Sequence, residues 1–375
     1  MTDQEYMLRA IQLAKKGEGW TNPNPMVGAV IVKDGKIIGE GYHKKYGELH
    51  AERNAIASLT ESAEGAVIYV TLEPCCHHGK TPPCTEAIIE QKIRKVVIGS
   101  RDPNPKVAGK GVQMLREAGV TVVEDFMREE CDQLNPVFFH YITTKTPYVV
   151  MKYAMTLDGK IATKTGASKW ITGESARKEV QHMRHQYMGI MAGIGTVLAD
   201  DPMLNVRVEG WKSPVRIVCD SKLRIPPGSQ IVKSAEKYRT IVAYAEQKNA
   251  KEKIKILHTM GVETIYCPDE KNQIDLKKLM ADLGNRGIDS ILLEGGGTLN
   301  DSALRAGIVK EVQAFVAPKL FGGVAGKTPV EGIRVELPSE AVELKYTDIC
   351  QIGEDIRIKC QVCDKKQEES CLQES

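Results

Sequence analysis

The stretch "TLEPCCHHGKTPPC", residues 71–84, packs three cysteines and two histidines into fourteen positions. A zinc site takes three or four protein ligands, so this segment is over-supplied and its reading depends on the rest of the chain. Upstream, "HAERNA" (50–55) sits where a helix should begin. His50 and Glu52 then fall in the first turn, close to the positive end of the helix dipole. One strand later comes Pro74-Cys75, and Cys84 opens the next helix. A helix N-terminus favours the thiolate that a metal needs. Two helix starts on the same edge of a sheet can bring His50, Cys75 and Cys84 together.

One imidazole and two thiolates make a three-ligand zinc site whose fourth tetrahedral position is left to water. Glu52, two residues from a ligand, can take the water's proton and return it to a leaving group. His-x-Glu … Pro-Cys … Cys is the signature of zinc nucleobase deaminases, in which the Glu is not a ligand. The competing reading is a structural zinc completed by Cys76 or His77, which leaves Glu52 without a task. Cys76 otherwise reads as a small buried hydrophobe or a thiol beside the ligands, and His78 as a surface or hydrogen-bonding residue.

The 375 residues are 42% hydrophobic and 27% charged, ordinary for a globular protein of two or three domains. A net charge of +2 argues against a dominant nucleic-acid surface. No apolar run is long enough for a membrane span, and "MTDQEYMLRAIQLAKKG" (1–17) does not read as a signal peptide. Ten cysteines without an export signal are expected as reduced thiols and metal ligands in a cytoplasmic protein.

Two α/β segments follow one another. In the first, residues 1–145, an amphipathic helix spans 3–16 with Leu8, Ile11 and Ala14 on one face. "MVGAVIVKDGKIIGEGY" (26–42) is two strands joined at Asp34-Gly35, a strong hairpin signal. Helices near 51–58, 85–92 and 111–119 then alternate with strands "AVIYVTL", "KVVIGS" and "VTVVED", which predicts a mostly parallel sheet covered on both faces. "HYITTKTPYVVMKYAM" (140–155) reads as the junction. The second segment, 146–363, runs through the strands "YVVMKYAM", "YMGIMAG", "VRIVCD", "RTIVAYA", "VETIYC", "DSILLEGGG" and "VQAFVAP". Residues 364–375 read as a polar, disordered tail.

The short deaminase signature has two residues between its cysteines; here eight intervene. That insert, "CHHGKTPP", with "NPNPMVGAV" (22–30) upstream and "SRDPNPKVAGKG" (100–111) downstream, resembles the deaminase half of bifunctional riboflavin-biosynthesis proteins. The resemblance implies a cytidine-deaminase-like three-layer α/β/α domain acting on a phosphorylated ribosylamino-pyrimidinone. It also implies that Asn24, His43, His77, Lys80, Asp102 and Asn104 form the substrate pocket. By itself, His43 could equally be solvated at a strand end.

The second segment needs its own task. "LLEGGGTLN" (292–300) and "MAGIGTVLADDP" (191–202) are two glycine-rich strand-to-helix turns, neither of them G-x-G-x-x-G. Such turns allow close backbone approach and offer helix N–H groups to phosphate, so two of them in one sheet suggest a dinucleotide cleft. With "MKYAMTLDGKIA", "SKWITG", "GIGTVLADDPMLNVR", "CDSKLRIP" and "EGGGTLN", this segment resembles the reductase half of the same proteins. The resemblance implies a dihydrofolate-reductase-like α/β fold that uses NADPH. It implies further that Ala154, Trp170, Thr196, Asp200, Ser221 and Gly296, Gly297, Thr298, Leu299, Asn300, Asp301 and Ser302 line the cofactor. Lys152, Ser168, Arg184, Leu204, Arg207 and Glu294 would face the substrate, with Lys152 and Asp200 near the reacting sugar. Two arginines can fork onto the substrate's phosphate, or can simply be surface ion pairs. The expected partners are phosphorylated pyrimidines, with neither nucleic acid nor membrane, in a homo-oligomer, dimer or tetramer.

Elsewhere the signals are structural. "CQVC" (360–363) has metal-like spacing without a second ligand pair nearby, Cys131, Cys219 and Cys267 read as core, and His182 and His185 as satisfied helix residues. Two other functions compete: a deaminase of RNA or free nucleobases with a C-terminal binding module, and a non-enzymatic zinc and nucleotide sensor. Near-neutral charge and the long insert count against the first, and retention of Glu52 against the second.

Overall fold

The computed structural model describes residues 1–76, 82–104, 107–246, 250–323, 326–332 and 335–363, which divide into compact units over 1–145 and 146–375.

The first unit begins with helix α1 (Asp3–Lys15), started by a capping box between Thr2 and Glu5. Its buried stripe is Met7, Ala10, Ile11 and Ala14, flanked by Tyr6 and Leu13. Leu8 was expected on this face but is exposed: the i, i+3, i+4, i+7 row starts from Met7, and Leu8 lies a further 100° around the helix. Strands β1 (Gly28–Lys33) and β2 (Lys36–Tyr42) form the hairpin, with Asp34 and Gly35 at φ 47° and 76°. Then come α2 (Ala51–Ala57), β3 (Val67–Leu72), α3 (Cys84–Glu90), β4 (Lys95–Ser100), α4 (Lys110–Glu117), β5 (Thr121–Val123), α5 (Arg128–Asp132) and α6 (Pro136–Thr144). The expected junction is therefore helical up to Thr144.

The sheet order is β2-β1-β3-β4-β5. It is mixed rather than mostly parallel, because β1 runs antiparallel to both β2 and β3, while β3, β4 and β5 are parallel. A tight hairpin forces the first reversal, and periodicity carries no strand direction. Alternation then builds three layers. Ala29, Ile31, Ile68, Val70, Val96 and Ile98 pack with Ala51, Ala55, Ile88, Val112 and Leu115 from α2, α3 and α4. Val30, Val32, Tyr69 and Val97 face α1 and Cys131 on the other side. Burying each large aliphatic side chain here contributes about 1.5–3 kcal/mol. Helix α2, which begins just after His50, sits directly on β2: a Cβ on Gly41 would meet Ala55 N at 2.2 Å and Ala51 O at 2.4 Å.

The second unit contains β6 (Tyr148–Thr156), α7 (Glu174–Gln186), β7 (Gly189–Gly193), α8 (Ile194–Asp200), β8 (Val215–Cys219), α9 (Gln230–Lys233), β9 (Thr240–Tyr244), α10 (Ala250–Thr259), β10 (Val262–Tyr266), α11 (Leu276–Asn285), β11 (Ser290–Leu293), α12 (Gly297–Arg305), β12 (Val309–Ala317), β13 (Leu344–Ile352) and β14 (Asp355–Val362). The order β10-β9-β8-β7-β11-β6-β12 is parallel throughout, and β14 and β13 extend it antiparallel. Successive residues again split between two cores: Met191, Ile217, Ile241 and Ala243 on one face, and Ile190, Val218, Val242 and Tyr244 on the other. The final hairpin is absent from the sequence reading, since β13 is almost wholly exposed and has no clean alternation. Among the described residues no helix is long and apolar enough to cross a membrane.

Candidate functional site

His50 is the N-cap residue of α2, and Cys84 is the first residue of α3. Cys75 lies just past β3, so a helix start, a strand end and a second helix start meet at one edge of the sheet. His50 Nδ1 is 3.4 Å from Cys75 Sγ and 3.5 Å from Cys84 Sγ, and the three ligand atoms lie within 4.8 Å of one another. Zinc–nitrogen and zinc–sulfur bonds of about 2.1 and 2.3 Å at a tetrahedral angle put N and S about 3.6 Å apart, so the donor set and its spacing fit zinc. Cys76, half-buried, is not part of this group. A four-ligand site through Cys76 is therefore unsupported; His77 and Lys80 lie outside the described residues.

The helix-terminus argument applies with a change of residue. The Cys84 N–H at the start of α3 donates to Cys75 Sγ (3.4 Å), so Cys75 is the thiol that receives a helix amide. Hydrogen bonds with Cys84 and His50 draw the Cys75 thiol down against its burial, and the same bond together with burial pushes Cys84 up. Glu52 is 3% exposed. Burial, reinforced by the charge of Cys75, raises its carboxyl above the ordinary range, which suits a group that must pick up and release a proton.

Around this centre, His43 is buried in T-shaped contact with His50, ring centroids 5.3 Å apart. Its Nδ1 lies 3.1 Å from Leu49 O and its Nε2 3.3 Å from Asn24 Nδ2, a pattern met by Nδ1–H donating and Nε2 accepting. Burial lowers its pKa and favours that neutral form. His43 is therefore not solvated at a strand end. Asp102 accepts from Asn104 N (2.8 Å), and burial raises its carboxyl to about 6. Two residues here escaped the sequence reading. Glu73, buried, accepts from Gly109 N (3.2 Å) and Val112 N (3.5 Å) at the start of α4. Arg53 donates to Pro82 O and Pro83 O. Their only sequence signal is adjacency, to Pro74-Cys75 and to Glu52.

In the second unit the two glycine turns end adjacent strands, β7 and β11. They touch, since a Cβ on Gly193 would sit 3.7 Å from Leu299, while Gly195 and Gly296 face open space. Together with the first-turn amides of α12, this open cradle fits a phosphate-bearing cofactor. Thr196 and Asp200 lie on α8, and Lys169 pairs with Asp200 at 4.0 Å. Ala154 lies on β6 opposite Phe315, and Ser168 precedes exposed Trp170, on which Arg177 stacks at 4.6 Å. Asn300 and Asp301 are buried, with Asn300 Nδ2 donating to Pro329 O and Asp301 pairing with Arg305. Ser221 Oγ donates to Gln273 Oε1 (3.3 Å). Arg184 is not free to fork onto phosphate: its Nε and Nη2 donate to Glu294 (2.7 and 2.9 Å) and its Nη1 to Asn205 O (3.1 Å).

Lys152 joins this cluster 3.9 Å from Glu294. Burial would raise Glu294, but Arg184 and Lys152 outweigh it and hold the carboxyl at about 2. Burial lowers Lys152, with Glu294 opposing. Leu204, in the left-handed region, and exposed Arg207 flank the Asn205 carbonyl that Arg184 holds. Asp220 binds Ile225 N in a turn, Cys131, Cys219 and Cys267 are buried, and Cys360 lies on β14 outside any metal group among the described residues. His185 stacks on Trp211 and accepts from Lys212 N, a structural role.

Comparison with known proteins bears on both units. Residues 1–100 match the cytidine and deoxycytidylate deaminase zinc-binding region, and residues 147–358 match the RibD C-terminal domain. The chain is 58% identical to the riboflavin biosynthesis protein RibD of Actinobacillus pleuropneumoniae, covering 95% of this chain and 94% of that one. It is 40% identical to RibD of Escherichia coli, covering 95% and 98%. Among solved structures, RibD of Acinetobacter baumannii superposes with TM-score 0.86 at 38% identity, covering 96% and 99%. A diaminohydroxyphosphoribosylaminopyrimidine deaminase/5-amino-6-(5-phosphoribosylamino)uracil reductase of Thermotoga maritima gives 0.85 at 39%, covering 96% and 98%. The chain belongs to the RibD family of riboflavin biosynthesis proteins, bifunctional enzymes in which a zinc-binding deaminase domain precedes a reductase domain.

Proposed function

We propose that residues 1–145 deaminate the diamino ribosylamino-pyrimidinone phosphate and that residues 146–363 then reduce its ribosyl group to ribityl with NADPH. The observation that carries the first step is His50 Nδ1 standing 3.4 and 3.5 Å from two thiols, with Glu52 buried alongside. His50, Cys75 and Cys84 would hold one zinc per chain, which would supply a polarised water. Glu52 would carry a proton from the attacking water to the departing amine, so that ammonia leaves as the ring carbon gains oxygen. Asn24, His43, Asp102 and Asn104 orient the pyrimidine, with His77 and Lys80 completing the pocket.

In the second step bound NADPH would be the source of the hydride that C1′ of the opened ribose takes up. Gly296–Ser302, with Ala154, Trp170, Thr196, Asp200 and Ser221, would seat the cofactor. Lys152 stands at the reacting sugar, and its partner Glu294 and neighbour Arg184 hold it and the Leu204–Arg207 segment in place. Arg207 remains for the phosphate, and Ser168 is assigned to the same substrate. The protein is cytoplasmic and homo-oligomeric; Leu344, Tyr346, Ile349 and Ile356 are exposed on the free edge hairpin, a surface suited to a second copy. Glu52→Gln tests the deaminase assignment: deamination should fall by several orders of magnitude while zinc stays near one per chain. Loss of zinc would instead make Glu52 a ligand.

A further inference from the structure

Arg53 is one residue beyond Glu52, on the first turn of α2, yet its guanidinium reaches the segment before α3. Its Nε donates to Pro82 O at 3.0 Å and its Nη2 to Pro83 O at 2.9 Å. Pro83 is the N-cap of α3, and the next residue is Cys84. Neither proline has an N–H, so this segment cannot anchor itself by donating. Its own carbonyls are held by Arg53, which donates to Pro82 O and Pro83 O, while the Cys84 and Thr85 N–H groups that follow donate to Cys75 O (3.0 and 3.2 Å). A cation near a helix N-terminus opposes the helix dipole, so stabilising α3 as a helix does not account for the placement. What the contact does fix is a distance, since α2 follows His50 and α3 carries Cys84.

We propose that Arg53 is a positioning residue of the zinc centre, clamping the Pro82-Pro83 segment to α2 so that Cys84 stays in register with His50. This rests on the His50, Cys75 and Cys84 assignment above and extends it beyond the ligands. Groups that orient ligands typically change metal affinity by about 10–100-fold when removed. Charge alone does not suffice: lysine keeps the charge but cannot bridge two consecutive carbonyls with a planar fork.

The test uses the full chain with Arg53→Gln and Arg53→Lys. Three quantities are read: zinc per chain, the rate of zinc transfer to a chelating dye, and deaminase kcat and KM, with reductase activity of the same preparation reporting the fold. Zinc release should quicken about 10–100-fold in Arg53→Gln and by less in Arg53→Lys, with kcat falling more than KM rises and the reductase unchanged. Release at the wild-type rate with unchanged kcat overturns the inference. If Arg53→Gln fails to fold, Arg53→Lys carries the test, and wild-type release from it likewise counts against the clamp. A wild-type chain that holds no zinc defeats the zinc assignment itself, a different result.

Discussion

Arg184 grips Glu294 with two N–H donors, at 2.7 and 2.9 Å, where sequence reasoning had offered its fork to a phosphate. Both side chains are only 13% exposed, and Lys152 is the second cation on the same carboxylate. Glu294→Gln therefore leaves two cations without their counter-charge. Breaking a buried pair from one side costs about 3–5 kcal/mol, which should appear as a lower unfolding midpoint of the reductase half. The pH dependence has a definite sign. Because Glu294 is held down at about 2, its stabilisation is present above the ordinary carboxylate range and is lost as pH falls toward 2. An unshifted midpoint in the variant contradicts the account.

Asp102 shifts the other way. Burial raises it to about 6, so the folded chain binds its proton more tightly than the unfolded chain does. Its favourable contribution is complete below the ordinary value of 3.8 and gone above about 6. If ionised Asp102 orients substrate, deaminase kcat/KM declines below about pH 6, and Asp102→Asn removes that limb. A limb that survives the substitution belongs to another group.

Gly41 sets the height of α2 above the sheet. An alanine there would need space already taken by Ala55 N at 2.2 Å and Ala51 O at 2.4 Å, so the helix next to His50 must move. Gly41→Ala should destabilise by about 1–3 kcal/mol and lower the zinc content of the purified chain. Full zinc occupancy with unchanged thermal stability would show that α2 is not fixed by this contact.

Zinc removal should separate the halves. Chelation abolishes deamination, re-addition of zinc restores it, and NADPH oxidation with already deaminated substrate continues throughout. Parallel loss of both activities contradicts an arrangement in which only residues 1–145 use the metal.

What the sequence carried, and what it did not, follows from how local each signal is. Asp34-Gly35 needs only its own φ angles to make a hairpin, and it did. His50, Cys75 and Cys84 were legible as a set because the His-x-Glu … Pro-Cys … Cys pattern falls at two helix starts and just past a strand end. The direction of β1 against β3 was not, since alternation is the same in both senses. The hairpin β13–β14 was missed because its outer strand buries little. Arg53, Glu73 and the partner of Arg184 depend on residues tens or a hundred positions away, and no spacing rule reaches them.

The central claim is tested most directly by giving the purified, zinc-loaded chain the diamino ribosylamino-pyrimidinone phosphate, with and without NADPH. The account predicts ammonia release in both cases, and NADPH oxidation only as the deaminated product forms. No NADPH oxidation when the deaminated product is supplied would contradict it.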